Sequence, residues 1–395
     1  MITIRLASAA ALVLLVGACG SAPTTSSAAS PASSDSATPP ATAGNPVLVG
    51  LDWHSASPST LILMRLDGSV IATRTLPATW LIDEHAVGAY MLVANDGSGK
   101  AWTIDASGAV MDVAPAAAAF LSPPSNGGAW APPLIVDSTT AVIVGSPDQT
   151  GMTAYAVNLR TGAVRSLITV PATRVLALAP ALSVLDVSPD RRTAWLRKVT
   201  STGGITGRLE ILGFDLGTGA VTSQGRADLL APEQDLAITR DGKSVAGQEE
   251  FGTDGTGLAI RHVHVVQLGT QVDSDLQGAA PYTGGQRSPS VLFAPDGPAV
   301  AWWGGLNNGD NAYLVNEAAV GQTGRTLFRL DNTDAMHQIV TVMWAKPSAL
   351  VVQTDSTTTP GSFQDADLHA FTVDATTGVQ TPLPAALHYL VAVLN

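Results

Sequence analysis

The stretch "DLGTGAV" at residues 215–221 decides the fold, because close variants of it recur along the chain. These variants are "DASGAV" (105–110), "NLRTGAV" (158–164) and "DATTGV" (374–379). In each, Asp or Asn opens a tight loop, and a glycine after Ser or Thr supplies the left-handed residue that closes a hairpin. A turn that repeats along the chain belongs to the fold, so we interpret Asp215 and Gly219 as structural residues.

The turn glycines mark a repeat of about 50 residues. In order they are Gly68, Gly108, Gly162, Gly219, Gly269, Gly324 and Gly378, of which Gly269 and Gly324 match the pattern less well. Within 175–230, the stretches "LSVLDVS", "TAWLRKV", "RLEILGFDL" and "AVTSQGRADL" predict four short strands joined by hairpins. A repeat of this length and content is typical of a propeller blade.

A second turn recurs between the first and second strands. Its copies are "SPDRR" (188–192), "TRDGK" (239–243) and "APDGP" (294–298). Proline presets φ, aspartate hydrogen-bonds the backbone ahead of it, and glycine takes a positive φ. These turns resemble those of TolB-type, WD-like propeller repeats, and the resemblance covers residues 46–395. Because the motifs are short, the resemblance implies a fold more than a function.

Strand polarity follows the same plan. Inner strands such as "TAVIVG" are apolar almost throughout, and last strands such as "VTSQGRAD" are polar, as expected when neighbouring blades cover the inner strands. The first repeat supplies only three strands, and "LHYLVAVLN" (387–395) adds an apolar strand at the C-terminus. We therefore predict an all-β fold over residues 46–395, a seven-bladed β-propeller of four-stranded antiparallel blades. The C-terminal strand closes the ring by joining the N-terminal blade.

The N-terminus has the layout of a secretory signal peptide. Arg5 supplies positive charge, and Leu6 to Val16 form an apolar segment. The sequence "VGAC" ends at Cys19, the one cysteine of the chain, and resembles the bacterial lipobox, which implies a lipid on that thiol. The alternative is a signal in which the cysteine is accidental. We predict a signal peptide over 1–18, then the lipidated cysteine and a disordered Ser/Thr/Ala/Pro tether over 19–45.

Charge limits the classes of partner. The formal net charge is −12, and removal of Arg5 with the signal makes the chain more acidic. An acidic domain repels phosphate backbones and anionic headgroups, so we expect neither nucleic acid binding nor direct membrane docking. Lipobox, tether and propeller together resemble envelope lipoproteins common in actinobacteria, a functionally mixed group. We expect a lipid-anchored monomer on the outer face of the cell membrane, secreted through Sec or Tat.

The sequence lacks the compact motifs of common catalytic sites. The nucleophile elbow G-x-S-x-G, the P-loop, HExxH and zinc-type cysteine clusters do not occur in it. His262 and His264 lie two apart in a strand and hence on one face, where they could be two metal ligands. No third ligand is close in sequence, so we interpret them as part of a packed strand. The loops 249–257 and 304–311 offer oxygen ligands for Ca²⁺, but ordinary hairpin loops are the better explanation.

Aromatic residues provide the remaining candidates. Trp302, Trp303 and Trp344 lie within apolar strands, and we expect them to be buried between blades. The candidate ligand-binding residues lie at strand ends or in loops, namely Trp53, His54, Trp80, Asp83, His85 and Trp130. We predict no catalytic residue, no metal and no cofactor.

Two functions fit these observations. The first is a membrane-tethered, non-catalytic propeller that binds a protein or envelope partner or a small ligand. The second is an envelope enzyme of the lactonase, lyase or quinoprotein type, with a metal-assisted site at the mouth of the central channel. Convergence of ligating side chains from at least three blades would favour the enzyme. We favour the binding module because of the tether, the acidic surface and the lack of a compact catalytic motif.

Overall fold

The computed structural model describes the chain between residues 45 and 394, with gaps. The predicted signal peptide, Cys19 and all but the end of the tether therefore lie outside the described residues. Also outside them are 53–59, 76–79, 83–85, 89, 96–99, 122–132, 146–150, 172–181, 202–205, 231–235, 254–258, 277–281, 284–289, 296, 298, 306–311, 320–321, 323, 332–337, 357–366 and 395. At the edges of several gaps, the backbone of a strand is described but its side chains are not.

The first four blades follow one another along the chain. Blade 1 contains β1 (Val47–Asp52), β2 (Thr60–Arg65) and β3 (Val70–Thr75). Blade 2 contains β4 (Trp80–Ile82), β6 (Tyr90–Asn95), β7 (Ala101–Asp105) and β8 (Val110–Asp112), and the short β5 (Ala86–Gly88) lies between β4 and β6 in sequence. Blade 3 contains β9 (Leu134–Ile135), β10 (Thr140–Gly145), β11 (Gly151–Asn158) and β12 (Val164–Pro171), preceded by the helix α1 (Pro115–Leu121). Blade 4 contains β13 (Leu182–Val187), β14 (Thr193–Ser201), β15 (Thr206–Asp215) and β16 (Val221–Leu230).

Three more blades complete the ring. Blade 5 contains β17 (Ala237–Ile238), β18 (Ser244–Thr253), β19 (Ala259–Gln267) and β20 (Val272–Asp275), and β21 (Tyr282–Thr283) also pairs with β19. Blade 6 contains β22 (Ser290–Phe293), β23 (Ala299–Gly305), β24 (Ala312–Ala319) and β25 (Arg325–Asp331). Blade 7 contains β26 (Gln338–Lys346), β27 (Ala349–Asp355), β28 (Leu368–Asp374) and β29 (Gln380–Pro382). The described chain ends with a 3-10 helix (Ala385–Leu387) and β30 (Tyr389–Leu394). The predicted seven-bladed, all-β propeller is confirmed.

A buried apolar cluster fills each of the seven interfaces between neighbouring blades. Val142 of blade 3 and Phe214 of blade 4 belong to one such cluster, and Leu48 of blade 1 and Met343 of blade 7 belong to the one that closes the ring. Each fully buried side chain of this kind contributes about 1.5–3 kcal/mol. Because inner strands meet a neighbouring blade on both faces, their sequences are apolar almost throughout.

The C-terminal strand closes the ring, as the sequence predicts. β30 pairs antiparallel with β1, and its other edge pairs parallel with β5. Gln353 of blade 7 holds the entry to β30, since its side-chain amide donates to the carbonyl of His388 and accepts from the amide of Leu390 at 2.9 Å. The closing strand starts at Tyr389, and one residue, His388, separates it from the end of the 3-10 helix at Leu387.

The predicted outer turns are confirmed in five blades and differ in two. Positive φ values occur at Gly68, Gly108, Gly162, Gly219 and Gly378. The prediction is wrong for Gly269, because Gln271 takes the left-handed conformation with a φ of 57°. The amide of Gln271 closes the turn on the carbonyl of Gln267 at 2.8 Å, as the amide of Gly219 does on Asp215. The prediction is also wrong for Gly324, which has no positive φ and where a Cβ would overlap the ring of Trp302.

Asp215 has the structural role that the repeat indicates. Its Oδ1 accepts the backbone amides of Gly217 at 2.9 Å and Thr218 at 2.6 Å. These hydrogen bonds, first among them that from Thr218, hold the pKa of Asp215 below its usual value.

Outer strands also bind the next blade through arginine side chains. Nε and Nη2 of Arg74 in blade 1 donate to the carbonyl of Gly108 in blade 2, at 3.0 and 2.7 Å. Equivalent contacts join Arg165 to Leu216 and Gly217, and Arg325 to Ala375 and Thr376. We term these contacts arginine clasps. Each satisfies hairpin carbonyls that are free at the end of a sheet.

Within the described ranges, no helix has the length and hydropathy needed to cross a bilayer.

Candidate functional site

Most of the candidate ligand-binding residues are not tested by the structure. Outside the described residues lie Cys19, Trp53, His54, Asp83, His85 and Trp130. Trp80 is the first residue of β4, and only its backbone is described. Of the two loops considered for Ca²⁺, residues 249–253 belong to β18 and residues 304–305 to β23. The strands thus extend into both loops, and the remaining residues, 254–257 and 306–311, lie outside the described part of the chain.

The three strand tryptophans are packed as expected. Trp302 and Trp344 are 1% and 3% exposed, and both belong to interface clusters. Trp303 is partly buried against the cluster between blades 6 and 7. The indole Nε1 of Trp344 donates to the carbonyl of Leu292 in blade 6 at 3.2 Å. These residues stabilise the contacts between blades.

Two histidines and two aspartates lie on one face of blade 5. The antiparallel register places His264 of β19 opposite Asp275 of β20, and Val266 opposite Asp273. Opposite residues of an antiparallel pair project to the same face, and so do residues two apart in one strand. His262, His264, Asp273 and Asp275 therefore share a face, which we term the His–Asp cluster. Val266 on the same face packs against blade 4.

Short contacts connect the His–Asp cluster. His262 Nδ1 lies 2.9 Å from Asp275 Oδ2, and His264 Nδ1 lies 2.9 Å from Asp273 Oδ1. His264 Nε2 lies 4.0 Å from Asp275 Oδ2. The side chain of His264 is 7% exposed, whereas those of His262 and Asp275 are 18% and 26% exposed. The cluster is thus half-buried, with an opening to solvent on the side of His262 and Asp275.

The pairing of the two strands supplies what the sequence alone did not show. No third ligand is close to His262 and His264 in sequence, but the hairpin between β19 and β20 brings Asp275 next to them in space. The signal was present as two alternating patterns, "HVH" at 262–264 and "DSD" at 273–275. The register of the hairpin is needed to bring these patterns together, and its left-handed residue is Gln271 and not the predicted Gly269.

A groove lies beside this blade, at the end where the first-to-second and third-to-fourth strand turns occur. We term that end the hairpin face. The groove has a volume of about 650 Å³ and is formed by turns of blades 4, 5 and 6. Its polar side chains come mainly from blade 5 and include Arg240, Asp241, Lys243, Gln267 and Thr270. Lys243 Nζ pairs with Asp241 Oδ2 at 3.3 Å, and both side chains are largely exposed.

A titrating carboxyl, that of Asp186, lies on the innermost strand of blade 4. Burial raises the pKa of Asp186 to about 6, and the positive charge of Arg240 acts in the opposite direction. Asp186 Oδ1 also accepts the amide of Val187 at 2.7 Å. The ionisation of Asp186 is therefore coupled to a side chain that lines the groove.

No protein-family model matches the chain, and no curated protein matches it. Among solved structures, TolB from Acinetobacter baumannii is 13% identical over 89% of this chain and 82% of that chain, with a TM-score of 0.42. The β-propeller domain of the Trilobed protease from Pyrococcus furiosus is 9% identical over 85% and 83% of the two chains, with a TM-score of 0.41. The tricorn protease is 12% identical over 82% of this chain and 33% of that chain, with a TM-score of 0.43. The chain is a seven-bladed β-propeller by its own sheet order, and it is similar to TolB-type propellers.

Proposed function

We propose that this chain is an extracytoplasmic lipoprotein, anchored by Cys19, whose propeller acts as a non-catalytic binding module for an envelope protein. The groove on the hairpin face is the observation that carries the proposal. Its volume of about 650 Å³ lies within the range of about 300–1,000 Å³ that ligand sites occupy. Three blades contribute to it, so a segment seated there would contact a surface that only the assembled ring provides.

The chemistry of the groove favours a polar, acidic polypeptide segment. Arg240 and Lys243 bring two positive charges to the groove and Asp241 brings one negative charge, so its lining is net positive in a chain whose formal net charge is −12. Thr270 and Gln267 add hydroxyl and amide groups that can hydrogen-bond a peptide backbone. Local positive charge on an acidic protein steers an acidic partner toward this position and not toward the rest of the surface.

Site-specific photo-crosslinking tests the binding site. A photoreactive residue at Thr270 lies in the groove, and one at Thr377 occupies the equivalent hairpin of blade 7, where Thr377 is likewise exposed. In membranes of the native cell, we expect a discrete protein adduct from position 270 and none from position 377. The charge reversals Arg240→Glu and Lys243→Glu should reduce the adduct. Equal adducts from both positions, or none from position 270, would contradict the proposal.

Cys19→Ser tests the anchor independently. The variant lacks the thiol that would carry lipid, so we expect the protein to move from the membrane fraction to the soluble extracytoplasmic fraction. Cell fractionation and the mass of the processed N-terminus provide the measurement. Retention of Cys19→Ser in the membrane would count against lipid attachment and leave the groove proposal standing.

An envelope enzyme of the lactonase, lyase or quinoprotein type remains the alternative function. It requires ligating groups from at least three blades at the channel mouth. Among the described residues, the cluster of three metal-ligating side chains comes from two strands of blade 5 alone. Among the residues that the structure describes, no specific observation favours an enzyme over a binding module.

A further inference from the structure

We propose that His262, His264 and Asp275 form a binding site for a divalent transition-metal ion of the Zn²⁺ type, with Asp273 as a positioning residue. The proposal goes beyond the groove and the anchor and does not depend on either. It rests on the donor atoms, their separations, the partner of His264 and the access of solvent to the cluster.

The donor atoms lie close to the geometry of a metal centre. One ligand atom from each of His262, His264 and Asp275 lies within 4.8 Å of the others. Zinc bonds of about 2.0–2.2 Å place tetrahedral ligand atoms roughly 3.4 Å apart. The 2.9 Å between His262 Nδ1 and Asp275 Oδ2 is already shorter than this, and the 4.0 Å between His264 Nε2 and Asp275 Oδ2 is slightly longer. Small side-chain rotations on fixed strands complete the site.

Asp273 sets the tautomer that a metal requires. A carboxylate accepts but does not donate, so the 2.9 Å contact with Asp273 Oδ1 places a proton on His264 Nδ1. In neutral imidazole the other nitrogen then carries a lone pair, and His264 Nε2 is the atom directed at Asp275. Metal-binding histidines typically donate their second N–H to a carboxylate in this way.

The second histidine changes its partner when metal binds. In the metal-free form, His262 Nδ1 donates to Asp275 Oδ2. On binding, the ring proton moves to Nε2 and Nδ1 donates its lone pair to the ion, so the imidazole stays neutral. Asp275 exchanges the hydrogen bond for a bond to the metal. The hydrogen bond marks the position that the ion would occupy between the two side chains.

The donor set and exposure select the class of ion. Two imidazole nitrogens and one carboxylate oxygen suit Zn²⁺, Co²⁺, Ni²⁺ or Cu²⁺, whereas Ca²⁺ and Mg²⁺ prefer oxygen ligands. The partial exposure of His262 and Asp275 leaves room for a water molecule as a fourth ligand. Three protein ligands and one open position are the arrangement of an accessible zinc centre.

A zinc titration tests the site. The full chain carries Cys19→Ser in every sample and a purification tag without histidine, so that neither thiol nor tag binds the ion. After chelator treatment, competition with a chromophoric chelator should show one Zn²⁺ per chain. We expect His264→Gln to weaken binding by at least about 100-fold and Asp273→Ala by about 10–100-fold with the stoichiometry retained. His369→Gln, at an exposed position in the third strand of blade 7, should leave the affinity unchanged.

Spectroscopy of the unsubstituted cluster keeps the test independent of variant folding. Co²⁺ should give the visible absorption of a four- or five-coordinate ion, and Zn²⁺ should abolish it at one equivalent. The proposal is overturned if Zn²⁺ binds this chain no more tightly than it binds the His262→Gln/His264→Gln double variant. Equal losses of affinity in His264→Gln and His369→Gln would also overturn it.

Discussion

At the scale of single residues, Trp195 shows how one side chain joins two blades. Its indole Nε1 donates to the carbonyl of Arg240 at 3.0 Å, in the first turn of blade 5. Its ring lies directly against Gly242, which has a φ of 73°. The glycine thus meets two requirements, a left-handed backbone and no side chain. The Asp-Gly of the "TRDGK" turn accounts for the first requirement, and the packing of blade 4 on blade 5 adds the second.

Gly242→Ala should be strongly destabilising. The left-handed backbone costs an alanine about 1–2 kcal/mol, and the overlap of its Cβ with the Trp195 ring adds about 1–3 kcal/mol. Gly269→Ala is the matched control in the same blade, because Gly269 has no positive φ and nothing lies within 4 Å of a Cβ built there. Urea unfolding should give a lower free energy of unfolding for Gly242→Ala and little change for Gly269→Ala. Equal losses in the free energy of unfolding of the two variants would contradict a role for the contact between Gly242 and the Trp195 ring.

Asp186→Asn should change the pH dependence of stability. Because the pKa of Asp186 is raised to about 6 from 3.8, the folded chain holds this proton more tightly than the unfolded chain does. Its contribution to stability is therefore full below about pH 4 and is lost as the pH rises to about 6, by up to about 3 kcal/mol. We expect the free energy of unfolding of Asp186→Asn, relative to the parent chain, to increase between pH 4 and pH 7.

Asp190→Asn provides a control of opposite sign. The hydroxyl of Ser188 donates to Asp190 Oδ1 at 2.6 Å and is the main cause that lowers the pKa of this exposed carboxyl. That contribution to stability is present above the unfolded pKa and is lost as the pH falls. Asp190→Asn should therefore lose a little stability at neutral pH. A parallel pH profile for both variants would contradict the assignment for Asp186.

At the scale of secondary-structure elements, the hairpins connect blades as well as strands. The Asp or Asn that opens an outer hairpin turns its side chain back onto the loop amides, as Asp215 does. The carbonyls of the same hairpin remain for the arginine of the preceding blade, as Gly108 shows with Arg74. One short loop therefore satisfies its donors internally and its acceptors across the blade interface. This division gives a structural reason for the recurrence of the turn sequence.

Arg74→Ala should destabilise the ring more than an ordinary surface arginine does. It removes two hydrogen bonds from a charged donor to a partly buried carbonyl, with an expected cost of about 1–3 kcal/mol. Arg329→Ala is the control, since Arg329 pairs with the exposed Asp331 two residues away in its own strand. That surface pair should contribute less than about 1 kcal/mol. Thermal unfolding of both variants measures the difference, and equal melting temperatures would refute the clasp.

At the scale of the whole molecule, stability depends on closure of the ring. Each blade covers the apolar face of its neighbour, so a missing inner strand would expose both blade 1 and blade 7. β30 carries five consecutive buried residues, Leu390 to Leu394, and Gln353 ties its start to blade 7. Closure by pairing the two ends of the chain removes the open sheet edge that would otherwise invite aggregation.

Deletion of residues 387–395 should sharply lower the melting temperature. Loss of four buried leucine and valine side chains, at about 1.5–3 kcal/mol each, is comparable to the 5–15 kcal/mol that stabilises a typical protein. Gln353→Ala should give a smaller, measurable loss of about 1–3 kcal/mol, because it leaves two backbone groups of the closing strand without this partner. An unchanged melting temperature after the deletion would refute closure by β30.

Much of the fold could be predicted because its signals lie in contiguous residues. The turn residues, the apolar strands and the additional C-terminal strand are each recognised from a short stretch of sequence. Together they predict seven blades and the closure of the ring. The prediction failed at Gly269, where the composition of the turn suggests glycine but the count of residues from Gln267 places the left-handed backbone at Gln271. Local composition is therefore a weaker guide to the left-handed position than the hydrogen bond that closes the turn.

The sequence by itself determined the blade repeat, the ring closure, the acidic charge and the lipobox-like N-terminus, because each is a property of neighbouring residues or of composition. Only the tertiary structure decided the His–Asp cluster, the arginine clasps and the link between Asp186 and Arg240. Those contacts join residues that are distant along the chain or on different strands. Their distances depend on strand register and on the packing of one blade against the next, and neither is recorded in any single stretch of sequence.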